Sequence, residues 1–126
     1  MSRILIVAAQ PATFADFAAC LEKKDGIEVL RAVSGAEALA IVAVKPVNTI
    51  VVDATLADGP GLTFVQKFTK VQPLTNCALV SSLSPEDFHE ATEGLGVFLQ
   101  LPSAPGAADA ENMLQILKKI EVLLAS

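Results

Sequence analysis

Five short apolar runs alternate with five stretches of helical spacing, and this alternation constrains the fold more than any other feature of the chain. The runs are Arg3–Ala9, Ile27–Ala32, Asn48–Val52, Cys77–Ser81 and Val97–Leu101. They are mostly rich in Val, Ile, Leu or Phe, and each has about the length of a buried strand. Between them, Phe14, Phe17, Ala18 and Leu21 form an i, i+3, i+4, i+7 stripe that stops at Gly26. Ser34-Gly35-Ala36-Glu37 reads as a capping box, with the Ser34 hydroxyl accepting the Glu37 amide and the Glu37 carboxylate reaching back to the Ser34 amide. Ala38, Leu39 and Val42 supply the apolar face behind it, and Leu62, Val65 and Phe68 do the same behind Pro60-Gly61. Ser84 is placed to cap a fourth helix with Pro85 at its first position and Glu86 and Asp87 in its first turn. Met113, Ile116, Leu117, Ile120 and Leu124 carry the last stripe. Strand and helix in alternation predict an α/β fold, a three-layer, doubly wound parallel sheet of five strands with helices on both faces. One domain, residues 1–126, accounts for the chain, with Pro102–Ala108 as a small-residue loop before the last helix.

Composition narrows the function classes. A 52% hydrophobic content excludes disorder, and a formal net charge of −5 argues against a nucleic-acid binder, which needs a basic stripe for phosphates. No apolar run reaches the roughly 18 residues of a membrane span. Met1-Ser2-Arg3 and the short run after it lack a signal peptide's length and cleavage site, so a cytoplasmic location is expected. Cys20 and Cys77 fit no metal spacing and read as two buried thiols. The single histidine, His89, lies in an acidic stretch expected to be solvated, which speaks against a Ser-His-Asp or Cys-His site. Gly59-Pro60-Gly61 lacks the third glycine of a dinucleotide fingerprint and follows the wrong strand.

In an open parallel sheet, ligands bind beyond the carboxyl ends of the strands. The third run ends Thr49-Ile50-Val51-Val52-Asp53 and continues Ala54-Thr55-Leu56-Ala57-Asp58-Gly59-Pro60-Gly61-Leu62. With Arg3-Ile4-Leu5-Ile6-Val7, Ser34-Gly35-Ala36-Glu37-Ala38-Leu39 and Leu101-Pro102, this resembles the receiver domains of response regulators, the CheY-like family, over essentially the whole chain. The resemblance implies a flavodoxin-like, CheY-like (βα)5 sheet of strand order 2-1-3-4-5. It puts Asp53 at the phosphoacceptor position and Ser81 and Phe98 at the two switch positions. It also exposes departures: the acidic pair after the first strand reads Ala8-Ala9, followed by Gln10, and the lysine before the last proline reads Leu101.

Mg²⁺ is a hard cation held by carboxylates, waters and phosphate oxygens. Asp53 and the Thr55 carbonyl offer one charge and one dipole, and Ala8 and Ala9 offer nothing. Phosphoryl transfer depends on positioning and charge neutralisation, and the Leu101 substitution removes the lysine's share. The expectation is a pseudo-receiver in two-component signalling that is not an enzyme, holds no metal or other cofactor, and works by protein–protein contact. The alternative is a working phosphoacceptor, phosphorylated on Asp53 by a histidine kinase or a small acyl phosphate, with Mg²⁺ held partly by Asp58. A third possibility is a small pocket at this crest, with Ala8, Ala9 and Leu101 around Asp53 and Ser81 as polar anchors. Structural roles compete at each position: Asp53 as a strand-end carboxylate accepting loop amides, Ser81 satisfying backbone groups, Phe98 as a packed sheet aromatic, Asp58 in turn chemistry with Gly59. The resemblance implies a partner face built from the fourth helix, fifth strand and fifth helix. It would carry Phe98, the acids Glu86, Asp87, Glu90 and Glu93, and Lys118-Lys119, and could pair with a second copy about a two-fold axis. No nucleic acid or membrane is expected as a partner.

Overall fold

The computed structural model describes the backbone of residues 2–125 and the side chains of residues 2–121. Met1, Ser126 and the Leu124 side chain of the last expected stripe lie outside the described residues. Strands β1 (Ser2–Val7), β2 (Ile27–Ala32), β3 (Thr49–Val52), β4 (Asn76–Val80) and β5 (Val97–Leu101) form one parallel sheet in the order β2-β1-β3-β4-β5. This is the expected doubly wound α/β architecture. Helices α1 (Ala15–Glu22), α2 (Gly35–Val44), α3 (Gly61–Val71), α4 (Pro85–Thr92) and α5 (Ala107–Ala125) alternate with the strands. A 3-10 turn, Pro11–Phe14, leads into α1. A two-residue antiparallel ladder, Thr55–Leu56 with Gly59–Pro60, lies in the loop between β3 and α3.

β1, β3 and β4 have their apolar residues buried on both faces, as strands covered by helices must. One face carries Ile4, Ile6, Val51, Ala78, Val80 and Leu101 against Phe14, Phe17, Ala18 and Leu21 of the α1 segment and Ala110 and Met113 of α5. The other carries Leu5, Val7, Ile50, Val52, Cys77 and Leu79 against Ala38 of α2, Phe64, Val65 and Phe68 of α3, and Phe88 of α4. Each fully buried Leu, Ile or Phe in these clusters contributes on the order of 1.5–3 kcal/mol of transfer free energy. All four residues of the first stripe are buried, though Phe14 sits in the 3-10 turn rather than in α1.

Several local expectations shift. β1 ends at Val7 rather than Ala9, β3 begins at Thr49 rather than Asn48, and β4 runs one residue earlier than expected. α5 begins at Ala107, so two residues of the expected loop are helical; the Asp109 carboxylate accepts the Gly106 amide at 2.9 Å and draws the start forward. Ser34 Oγ accepts the Glu37 amide at 3.0 Å as the capping box requires. The reciprocal arm differs: Glu37 accepts the amide of Val33, at 3.3 Å, not that of Ser34. Ser84 Oγ accepts the Asp87 amide at 3.2 Å, with Pro85 at the helix start.

β5 pairs with β4 through an irregularity. Cys77 faces Val97 but Ala78 faces Leu99, so Phe98 is an extra residue without a partner. Such a bulge reverses the side-chain alternation beyond it.

Candidate functional site

Asp53 follows the last residue of β3, and the sheet itself holds it there: its amide donates to the Val7 carbonyl of β1 at 2.9 Å. Its side chain is half-buried, and Oδ1 accepts the Ala54 amide at 2.8 Å. The turn after it is tight. The Gly61 amide donates to the Ala54 carbonyl at 2.9 Å, and a Cβ on Gly61 would stand 1.9 Å from the Asp53 carbonyl oxygen. Glycine is therefore required at the start of α3 by close backbone approach.

Ala8 and Ala9 follow β1 beside this point. Ala8 is 1% exposed and belongs to the core cluster shared with Leu101 and Met113. Ala9 is half-buried, and its amide points to the Thr55 carbonyl at 3.4 Å. The Thr55 carbonyl, one of the two oxygens expected to face a cation, thus already has a donor. Leu101, at the end of β5, is 2% exposed and closed into the same cluster.

Asp58 lies elsewhere in its chemistry. Its Oδ1 accepts the Gly35 amide at 2.9 Å and its Oδ2 the Ala36 amide at 3.1 Å, at the start of α2. These two bonds hold its carboxyl below the usual carboxylate range. Asp58 sits, as expected, in the turn before Gly59, between Thr55–Leu56 and Gly59–Pro60, whereas the expected swing toward Asp53 is replaced by this tether to the free amides of a helix N-terminus. Among the described residues, no three His, Cys, Asp or Glu side chains group as metal ligands.

Ser81 follows β4. Its amide donates to the Leu101 carbonyl at 3.1 Å, and its hydroxyl accepts the Leu83 amide at 3.1 Å. Phe98, the unpaired residue of the bulge, packs against the α1–α5 cluster. The β5 side chain that reaches the Ser81 segment is Gln100, whose Nε2 donates to the carbonyls of Ser81 and Leu83 at 3.1 and 2.8 Å. No spacing in the sequence marks Gln100 or Asp58, because both contacts span about twenty residues and one depends on the bulge.

The expected pocket around Asp53 and Ser81, walled by Ala8, Ala9 and Leu101, is not what the fold builds. Ala8 and Leu101 close into the core. The cavity at this end measures about 170 Å³ and lies between α3 and α4, lined by Leu62, Leu79, Ser81, Leu83, Phe88 and Thr92 among others. The two thiols also divide: Cys77 is buried, which pushes its thiol up to about 12, whereas Cys20 is half-exposed and donates to Glu111 Oε1 at 3.3 Å. His89 is exposed on α4. No helix among the described residues is long and apolar enough to cross a membrane.

A family model described as the response regulator receiver domain matches residues 4–102. No curated protein matches. Among solved structures, the chain is similar to a CheY-like receiver domain protein from Methanospirillum hungatei, at 24% identity over 99% of this chain and 94% of that one, with a TM-score of 0.75. It is similar to the chemotaxis response regulator CheY4 of Vibrio cholerae at 20% identity, covering 91% and 97%, with a TM-score of 0.78. A two-component response regulator from Clostridium difficile aligns at 18% identity over 99% and 97%, with a TM-score of 0.74. Identities this low carry the fold.

Proposed function

This chain belongs to the response regulator receiver domain family, and from that premise we propose that it is a pseudo-receiver: a cytoplasmic two-component signalling module that works by protein–protein contact, is not an enzyme, and takes up a phosphoryl group inefficiently. The observation that carries this reading is the set of groups around Asp53. Two alanines follow β1, a buried leucine ends β5, and both oxygens of Asp58 are occupied by amides of α2. A hard divalent cation wants several oxygens. One carboxylate and a carbonyl already accepting a backbone amide do not make a set that fits it, and Leu101 brings no charge to a phosphoryl oxygen. Catalysis of phosphoryl transfer is almost wholly positioning and charge stabilisation, so little of it is left.

The test is intact mass after incubation with acetyl phosphate and Mg²⁺. No phosphoryl adduct is expected. An adduct that is absent from Asp53→Asn overturns the reading.

One observation favours the second reading, a phosphoacceptor served by a histidine kinase with Mg²⁺ as cofactor. Asp53 is only half-buried, and among the described residues no hydrogen bond falls on its Oδ2. That oxygen is free to attack phosphorus, and the same mass experiment decides between the two.

For the partner surface, support comes from what α4, β5 and α5 present. Glu86, Asp87, Glu90 and Glu93 are exposed around α4, Phe98 and Leu99 are half-exposed on β5, and Lys118 and Lys119 are exposed on α5. An apolar strip between acids and lysines suits a signalling protein of complementary charge, or a second copy related by a two-fold axis. Net charge reversal at Glu86, Asp87 and Glu90 should abolish partner capture while leaving the thermal transition in place.

A further inference from the structure

We propose that Gln100 is a latch that holds the β4–α4 loop, and with it the start of α4, in one position. Its Nε2 carries two hydrogens and has two acceptors, the Ser81 carbonyl at 3.1 Å and the Leu83 carbonyl at 2.8 Å. The amides of the same two residues are taken up beside it: the Leu83 amide donates to Ser81 Oγ and the Ser81 amide to the Leu101 carbonyl, each at 3.1 Å. Residues 81 and 83 therefore have both amide and carbonyl bonded, and all these bonds lead back to Ser81 or the end of β5.

The bulge makes this arrangement. Without the extra residue Phe98, alternation from Val97 would turn Gln100 toward α1 and α5. With it, Gln100 pairs with Leu79 and faces the α4 side of the sheet. Leu83 directly precedes Ser84, the cap of α4, so fixing residue 83 fixes where the helix begins. α4 needs such an anchor. It has only eight residues, and its buried side chains are Phe88 and Thr92. A helix this short is marginal in water and takes its position from tertiary contacts. A glutamine amide does not titrate, so the latch does not depend on pH. It sets the α4 surface offered to a partner in advance. It rests on the geometry of β5 and does not require Asp53 to be inert.

Amide hydrogen exchange, read residue by residue by NMR on the full chain, tests it. In Gln100→Leu, the amides of Leu83 and Phe88 should exchange on the order of tenfold faster, while Ile50 and Val51 in β3 keep their protection. Gln100→Glu, which sets a carboxylate against two carbonyl oxygens, should loosen the same amides at least as much. Unchanged exchange at Leu83 and Phe88, or an equal acceleration in β3, overturns the latch. Should either variant fail to fold, the wild-type side chain gives the answer: the Gln100 Nε2 hydrogens should exchange more slowly than those of the exposed Gln66 and Gln115. Equal rates overturn it as well.

Discussion

The carboxylate of Asp58 accepts the amide of Gly35 at 2.9 Å across 23 residues of sequence, and so ties the loop that follows Asp53 to the start of the second helix. A second bond to Ala36 and the Ala57 amide on the Val33 carbonyl, at 2.9 Å, complete the tie. Backbone amides lower the Asp58 pKa. A carboxyl depressed in the folded state contributes stability above its unfolded pKa, and that contribution is lost as pH falls through the folded value. Thermal melts should therefore show the wild type losing its advantage over Asp58→Asn as pH drops below about 4, while near pH 7 the variant melts a few degrees lower. Parallel curves at all pH values would refute this.

Gly61 tests the packing around the same loop. A methyl group there would stand 1.9 Å from a backbone oxygen, which cannot rotate away. Gly61→Ala should cost roughly 3 kcal/mol or more in chemical denaturation. Gly106→Ala meets nothing within 4 Å and should stay near wild type. Equal effects at the two sites would show that the turn relaxes.

Leu101, which the resemblance sets at a lysine position, tests whether the end of β5 tolerates a charge. The site is 2% exposed, pairs with Val80 across the ladder and belongs to the same core cluster as Phe98 and Met113. A lysine there gives up its hydration in a core of apolar side chains, so Leu101→Lys should destabilise by several kcal/mol near neutral pH. Because burial favours the neutral amine, the loss should shrink as pH rises toward the unfolded lysine pKa. Urea titrations at pH 7 and pH 10 measure both the size and the sign.

The cysteines should label unequally. Burial raises the Cys77 thiol to about 12 and keeps it unreactive. Cys20 is half-exposed, though burial and then the Glu111 carboxylate raise its thiol as well. At pH 8 one thiol per chain should react with a maleimide, identified as Cys20 by peptide mass, and Glu111→Gln should speed that reaction severalfold. Rapid labelling of Cys77 in the native state would count against its burial between β4 and the α3–α4 side.

Much of the fold was legible because its signals are local. Val, Ile and Leu runs flanked by capped amphipathic stripes specify strand and helix within windows of about ten residues, and the Ser34 and Ser84 caps formed as their spacing required. The place of Asp53 at a strand end was legible for the same reason, since it directly follows a buried run. Phe98 shows where that kind of reading stops. Its place in the sequence resembles a switch aromatic; it packs on the α1–α5 face, and the extra residue it adds to the ladder brings Gln100 to the loop.

The sequence by itself determined that this chain is a doubly wound α/β domain with one carboxylate at the crest of its third strand, and that alanines and a leucine stand at the neighbouring positions. Those facts follow from residue identity and short-range periodicity. Only the tertiary structure decided that Asp58 serves the second helix rather than Asp53, that Ala8 and Leu101 close into the core, and that Gln100 bonds the loop before the fourth helix. Each of those depends on which backbone groups are left unpaired where distant segments meet. That inventory exists only once the sheet register, bulge included, has been set.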